Sequence, residues 1–162
     1  MYPWLVFLHI VSIFGLLLAH GVSASVAFAL RRERNIERIR ALLELSAGSL
    51  MTMYISLLTL LVFGVIAGFA GGWWGNGWIW VSLVLLIGIL AGMFILGSRV
   101  YSGVRKAVGL PYMENNKPHP PIEPSSAEEI DALLQRGNPV LLLLIGYGGV
   151  ALITWLMVFK PF

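Results

Sequence analysis

Residues 4–34 read WLVFLHIVSIFGLLLAHGVSASVAFALRRER, an unbroken apolar run that stops at Arg31-Arg32-Glu33-Arg34. The run exceeds the about 20 residues a helix needs to cross a hydrocarbon core roughly 30 Å thick at about 1.5 Å per residue. Tyr2 and Trp4 stand at its start, aromatic side chains suited to the headgroup region. No positive segment precedes it and it is much longer than a signal-peptide core, so it reads as a retained membrane span covering about residues 4–30.

The rest of the chain repeats the pattern. Apolar runs cover about residues 43–70, 78–100 and 140–159. With 58% hydrophobic and 12% charged residues among 162, and a mean hydropathy of +0.84, the solvent of such a chain is lipid. The expected fold is an all-α membrane protein: one domain over residues 1–162, a left-handed bundle of four transmembrane helices in a lipid bilayer. The net charge of +3 would suggest nucleic acid in a soluble protein. Here the basic residues sit beside apolar runs, which points to topology and anionic lipid, with no nucleic-acid partner. The absence of cysteine excludes disulfides and thiol chemistry.

Five basic residues lie in the first loop, residues 31–42 (Arg31, Arg32, Arg34, Arg38, Arg40), and five at or in the third, residues 101–139 (Arg99, Arg105, Lys106, Lys117, Arg136). Only Lys160 lies on the other side. The positive-inside rule then puts both termini outside and both loops in the cytoplasm, in a plasma (inner) membrane. All six tryptophans fall at the outer rim in this arrangement.

The connections have their own signals. Residues 71–77, GGWWGNG, form a short external turn whose glycines and Asn76 can take positive φ. The first loop, with charges around Ile36 and Ile39, reads as a solvated, lipid-touching face. Residues 107–124 hold five prolines and should lie extended on the membrane surface. After them, Ser126-Ala127-Glu128-Glu129 has capping-box spacing, Ile130, Leu133 and Leu134 share a face, and Gly137 stands as C-cap. This predicts a short amphipathic interfacial helix before the fourth span. Small residues at steps of four, Gly15-Ala19-Ser23-Ala27 and Gly64-Gly68-Gly72, mark helix-packing faces.

Polar groups at membrane depth are costly, so the histidines of the first span, His9 and His20, are the candidate functional residues. Eleven residues apart, they point the same way, roughly 16 Å apart along the axis. Met51 or Met53 of the second span, Met93 of the third and Tyr147 of the fourth reach the depth of His20. Imidazole with thioether suits copper(I) or haem iron, so His9, His20, Met51 and Met93 form a candidate cofactor set, with His9 and His20 as metal ligands. The alternative is that the methionines fill gaps and the neutral histidines bond Ser23 or a carbonyl of a neighbouring helix. No other span carries a histidine, so bis-histidine ligation needs a homodimer packed along the first span. Glu44 is expected to pair with Arg40 or Arg99. No catalytic triad, phosphate loop, zinc signature or carboxylate pair occurs, so no catalytic residue is assigned and hydrolase chemistry is not expected. No span has a midplane carboxylate and none reads as broken, which argues against a channel or transporter.

The opening Tyr2-Pro3-Trp4-Leu5-Val6-Phe7-Leu8-His9-Ile10-Val11-Ser12-Ile13-Phe14-Gly15 resembles the first span of a family of small bacterial integral membrane proteins. That family is related to copper resistance protein D and to the membrane-bound protoporphyrinogen oxidase. The resemblance implies a haem b ligand at His9 or, from the other branch, copper handling. Ser12-Ile13-Phe14 stand where the oxidase branch has a Trp, and the third span lacks its lysine ligand, so only the first-span ligand carries over. Two functions therefore stand side by side: haem or copper binding in a redox or metal-handling role, or a non-catalytic membrane subunit or scaffold with structural histidines.

Overall fold

The computed structural model describes the backbone of residues 1–162 and every side chain except those of Ser98 and Arg99. Four helical stretches are long and apolar enough to cross a membrane: Tyr2–Leu30, Ile36–Gly71, Gly77–Ala107 and Ala127–Phe159. Between 6% and 17% of each apolar window is buried inside the protein, so most of every span faces outward and needs hydrocarbon around it. The chain is a multi-pass membrane protein.

Helices α1 (Tyr2–Leu30) and α2 (Ile36–Gly71) form an antiparallel pair. Asn35 caps α2, its Oδ1 accepting from the N–H groups of Glu37 (3.0 Å) and Arg38 (3.1 Å). Just before it, the Glu33 carboxylate accepts from the backbone N–H of Asn35 and of Arg34, both at 2.9 Å, which holds its carboxyl below the ordinary range. The seam between the helices runs through small residues. Gly15 backs onto Ser56, and Ser23 Oγ lies 3.2 Å from Ser49 Oγ and 3.3 Å from Ser46 Oγ. Close approach and hydroxyl contacts replace the hydrophobic drive that lipid removes.

At the far end α2 stops at Gly72, whose φ of 67° is left-handed. Asn76 is extended instead (φ −95°) and stands at the N-terminus of α3 (Gly77–Met93). Helix α3 continues through a π-type turn at Phe94–Ser98 into α4 (Arg99–Ala107). The fourth span is likewise interrupted: α6 (Pro139–Leu143) passes through a π-type turn at Leu144–Gly148 into α7 (Gly149–Phe159). Both spans nevertheless stay helical throughout, as their unbroken apolar runs implied. The extra residue in such a turn leaves no gap in hydropathy, so nothing in the composition marks it. Helices α3 and α7 pair antiparallel, with Gly149 against Ile89 and Gly92 against Ile145. Trp78, Ile79 and Leu156 pack together at the tryptophan-rich end, where Lys160 Nζ lies 4.1 Å from the ring centre of Trp73.

The opposite, arginine-rich end holds the main core. Val26 and Leu30 of α1, Ile39 and Leu43 of α2, and Val104, Ala107 and Val108 at the end of the third span close around Ile130 and Leu134 of α5 (Ala127–Arg136). Ile39 is only 1% exposed, which corrects its expected contact with lipid. The apolar face of α5 is likewise covered by protein. Ser126 Oγ accepts from Glu129 N–H (3.3 Å) as the capping spacing implied. Gly137 stands as the C-cap of α5, with extended (φ −66°) and not left-handed backbone; Asn138 and Pro139 restart the chain as α6.

Residues 107–124 are not a plain extended segment. Strands β1 (Tyr112–Glu114) and β2 (Lys117–His119) pair antiparallel around Asn115-Asn116, both at positive φ (52° and 60°). That is the backbone a two-residue hairpin turn requires. Pro118 faces Met113, one step from the Glu114–Lys117 pair that closes the turn, where antiparallel pairing leaves the missing N–H unneeded. The hairpin folds back on α4: Ser102 Oγ bonds both backbone groups of Met113, and Lys106 Nζ meets Glu114 at 3.1 Å. Glu44 pairs with Arg105 at 2.7 Å, while Arg40 pairs with Glu37 at 2.8 Å; an Arg99 partner for Glu44 lies outside the described side chains.

Because Leu30 is 1% exposed in this core and Leu18 is 69% exposed along the same helix, Leu30→Ala should lower unfolding stability by about 2–5 kcal/mol. Leu18→Ala should change it by less than about 0.5 kcal/mol. Unfolding in mixed detergent micelles, followed by circular dichroism, measures both.

Candidate functional site

His9 reaches across the α1–α2 seam. Its Nδ1 lies 2.8 Å from the Leu60 carbonyl oxygen. A carbonyl only accepts, so Nδ1 is the protonated, donating nitrogen in this contact. The ring fits because Gly64 has no side chain: a Cβ there would lie 2.8 Å from His9 Cε1 and 2.9 Å from Nδ1. Nε2, 3.9 Å from that same position, is the ring nitrogen turned away from α2.

His20 is held by a different neighbour. Its ring presses on Gly146, inside the π-type turn of the fourth span, and a Cβ at Gly146 would overlap Nε2. The Tyr147 ring lies 5.0 Å away, centre to centre, and its hydroxyl donates to the Leu17 carbonyl at 3.3 Å. His20 Nε2 is buried with no hydrogen-bond partner among the described residues. The two histidines therefore do not share one space: one joins α1 to α2, the other joins α1 to the fourth span.

The methionines do not complete either position. Met51 is 67% exposed and faces outward. Met93 is partly buried, next to Gly92, which packs on Ile145. Neither is in contact with an imidazole by any bond or ring interaction described. Ser23, offered as a partner for a histidine, bonds Ser46 and Ser49 instead. Among the described residues no three His, Cys, Asp or Glu side chains gather as a metal site.

These contacts test the fit of a haem or copper. At His20 no donor set is gathered: the ring lies against Gly146 near Nε2, and no group of three His, Cys, Asp or Glu side chains forms among the described residues. At His9 the donor chemistry fits a single bond: an N–H anchored on a carbonyl is the usual outer support of a ligating imidazole, and Nε2 is free to bind. No second side-chain donor accompanies it.

A carbonyl of a neighbouring helix was expected as a histidine partner, and Leu60 supplies it for His9; Gly64 and Gly146 were not expected to receive the rings. The two glycines were visible as packing residues; their pairing with His9 and His20 depends on the register between helices. No family model, no curated protein and no solved structure matches the chain. The likeness to the copper resistance and protoporphyrinogen oxidase group thus rests on the first-span residues alone.

If the π-type turn exists to seat His20, Gly146→Ala must displace the ring and destabilise the protein. Paired with His20→Ala in a double-mutant cycle, it should show a coupling of about 0.5–3 kcal/mol, read from unfolding curves. Additive effects would mean that the two residues are not in contact.

Proposed function

We propose that the protein is a non-catalytic membrane subunit or scaffold of a bacterial inner membrane, in which both intramembrane histidines join helices. The observation that carries this reading is that each imidazole packs on a glycine of a different neighbouring helix, with no second donor directed at it. An N–H to carbonyl bond between spans contributes about 0.6–1.5 kcal/mol, which suits a helix fastener. The arginine-rich loops lie in the cytoplasm and both termini outside, on the basis of the charge count.

A second reading has one observation in its favour. The Nδ1–H bond to Leu60 leaves Nε2 of His9 as the ring nitrogen available to a ligand. That nitrogen would hold haem b or copper(I) as one axial or terminal ligand, and the group would supply one-electron redox chemistry. The other ligand would come from a partner, such as His9 of a second copy.

Absorption spectra and copper analysis of detergent-purified protein separate the two. The structural reading expects no Soret band and no stoichiometric copper. It also expects His9→Asn, which keeps an N–H for the Leu60 carbonyl, to hold stability better than His9→Ala. A Soret band or bound copper that disappears in both variants would establish the ligand reading.

The topology is tested separately. The chain has no cysteine, so Asn76→Cys and Glu123→Cys can be labelled one at a time. A membrane-impermeant maleimide should label Asn76→Cys on intact cells and Glu123→Cys only after lysis; the reverse pattern inverts the orientation.

A further inference from the structure

A groove of about 570 Å³ opens along α1 from Leu17 to Ala29, floored by Gly21 and Ser25 and bordered by Leu42 and Leu45 of α2, with Tyr147 at its deep end. Twelve residues of helix rise about 18 Å, close to one leaflet's half of a hydrocarbon core roughly 30 Å thick. The groove is apolar, and it ends at the arginine-rich turn. Both walls lead to cations. Past Ser25 and Ala29, α1 ends at Leu30 and Arg32 stands in the turn that follows, while on α2 Arg38, Leu42 and Leu45 share a face at i, i+4 and i+7.

Those two arginines differ from their neighbours. Arg31 bonds Gln135 (3.2 Å), Arg34 pairs with Asp131 (2.9 Å), Arg40 with Glu37 (2.8 Å) and Arg105 with Glu44 (2.7 Å). Arg32 is exposed and has no side-chain partner among the described residues, and Arg38 meets only Glu33, at 3.9 Å, with its own side chain 76% exposed. Guanidinium forks suit phosphate oxygens.

We propose that this groove is a binding site for one phospholipid with an anionic headgroup, its acyl chain lying along α1 and its phosphate held between Arg32 and Arg38. The site uses neither histidine and stands independently of their role. Such a lipid covers the exposed groove residues Ser25 and Ala29 with a chain of matching length, and meets Arg32, which has no side-chain partner among the described residues, and Arg38, which has only the 3.9 Å contact with Glu33.

Native mass spectrometry of the full-length protein, titrated with phosphatidylglycerol in detergent, tests this. The wild type should hold one phosphatidylglycerol, and bind phosphatidylcholine more weakly. The Arg32→Ala/Arg38→Ala variant should bind phosphatidylglycerol roughly thirty-fold more weakly, the ratio expected for two basic side chains at a membrane surface. Ser25→Trp, which fills the groove and leaves both arginines, should weaken binding at least about tenfold, while Arg32→Lys/Arg38→Lys keeps most of it. Equal phosphatidylglycerol binding by the wild type and Ser25→Trp overturns the proposal, as does a wild type that holds none. Displacement by inorganic phosphate with no effect of Ser25→Trp would reassign the arginines to a free anion. Circular dichroism confirms that each variant is folded; should the double alanine variant fail to fold, Ser25→Trp and the lysine pair decide the matter.

Discussion

Hydrophobic burial in this protein is concentrated where the spans emerge at the arginine-rich end, and the rest of the architecture hangs from that contact. Leu30, Ile39, Val104 and Ile130 come from α1, α2, α4 and α5, and all are under 8% exposed. Within hydrocarbon, apolar contact between helices gains little because lipid offers the same contact. At the membrane edge water returns, and burying these side chains becomes favourable again. The salt bridges Arg34–Asp131 and Arg105–Glu44 tie the first loop to α5 and α2 to α4 around the same cluster. They are largely exposed and contribute modestly.

Deeper in the spans the helices are joined by other means. Gly15 against Ser56 and the Ser23–Ser46–Ser49 group hold α1 to α2, and His9 adds a bond to the Leu60 carbonyl. His20 serves the junction with the fourth span through the π-type turn at Leu144–Gly148. Each histidine is matched by a glycine on the partner helix, because a planar ring can approach a helix axis only where no Cβ stands in the way. The same matching sets the His20 ring against Gly146 near Nε2, and it leaves Nε2 of His9 turned away from α2.

Local signals carried much of this. The four apolar runs, the Gly72 stop, the Ser126 cap and the small-residue stripe of α1 all follow from residues near one another in the chain, and the structure has them. The hairpin at Tyr112–His119 was legible in principle from Asn115-Asn116, since paired asparagines tolerate the left-handed backbone of a two-residue turn; the prolines around it drew attention instead. Met51 lies at the depth of His20 by residue count, yet it is 67% exposed. Depth along a span can be counted from its end, but the direction of a side chain around the helix depends on which neighbour is packed where, and Met51 faces outward.

The amino-acid sequence by itself determined that this chain lives in a membrane, with four spans and two charged connections, because hydropathy is a sum over residues and needs no knowledge of neighbours. Tertiary structure decided what those spans do to one another. Only the register between helices set His9 on Leu60 and Gly64, put His20 on Gly146, and buried Ile39 in a core. It also aligned Ser25, Ala29 and Leu42 into a groove between α1 and α2. These are contacts between residues distant in the chain, and their geometry exists only once the helices are packed.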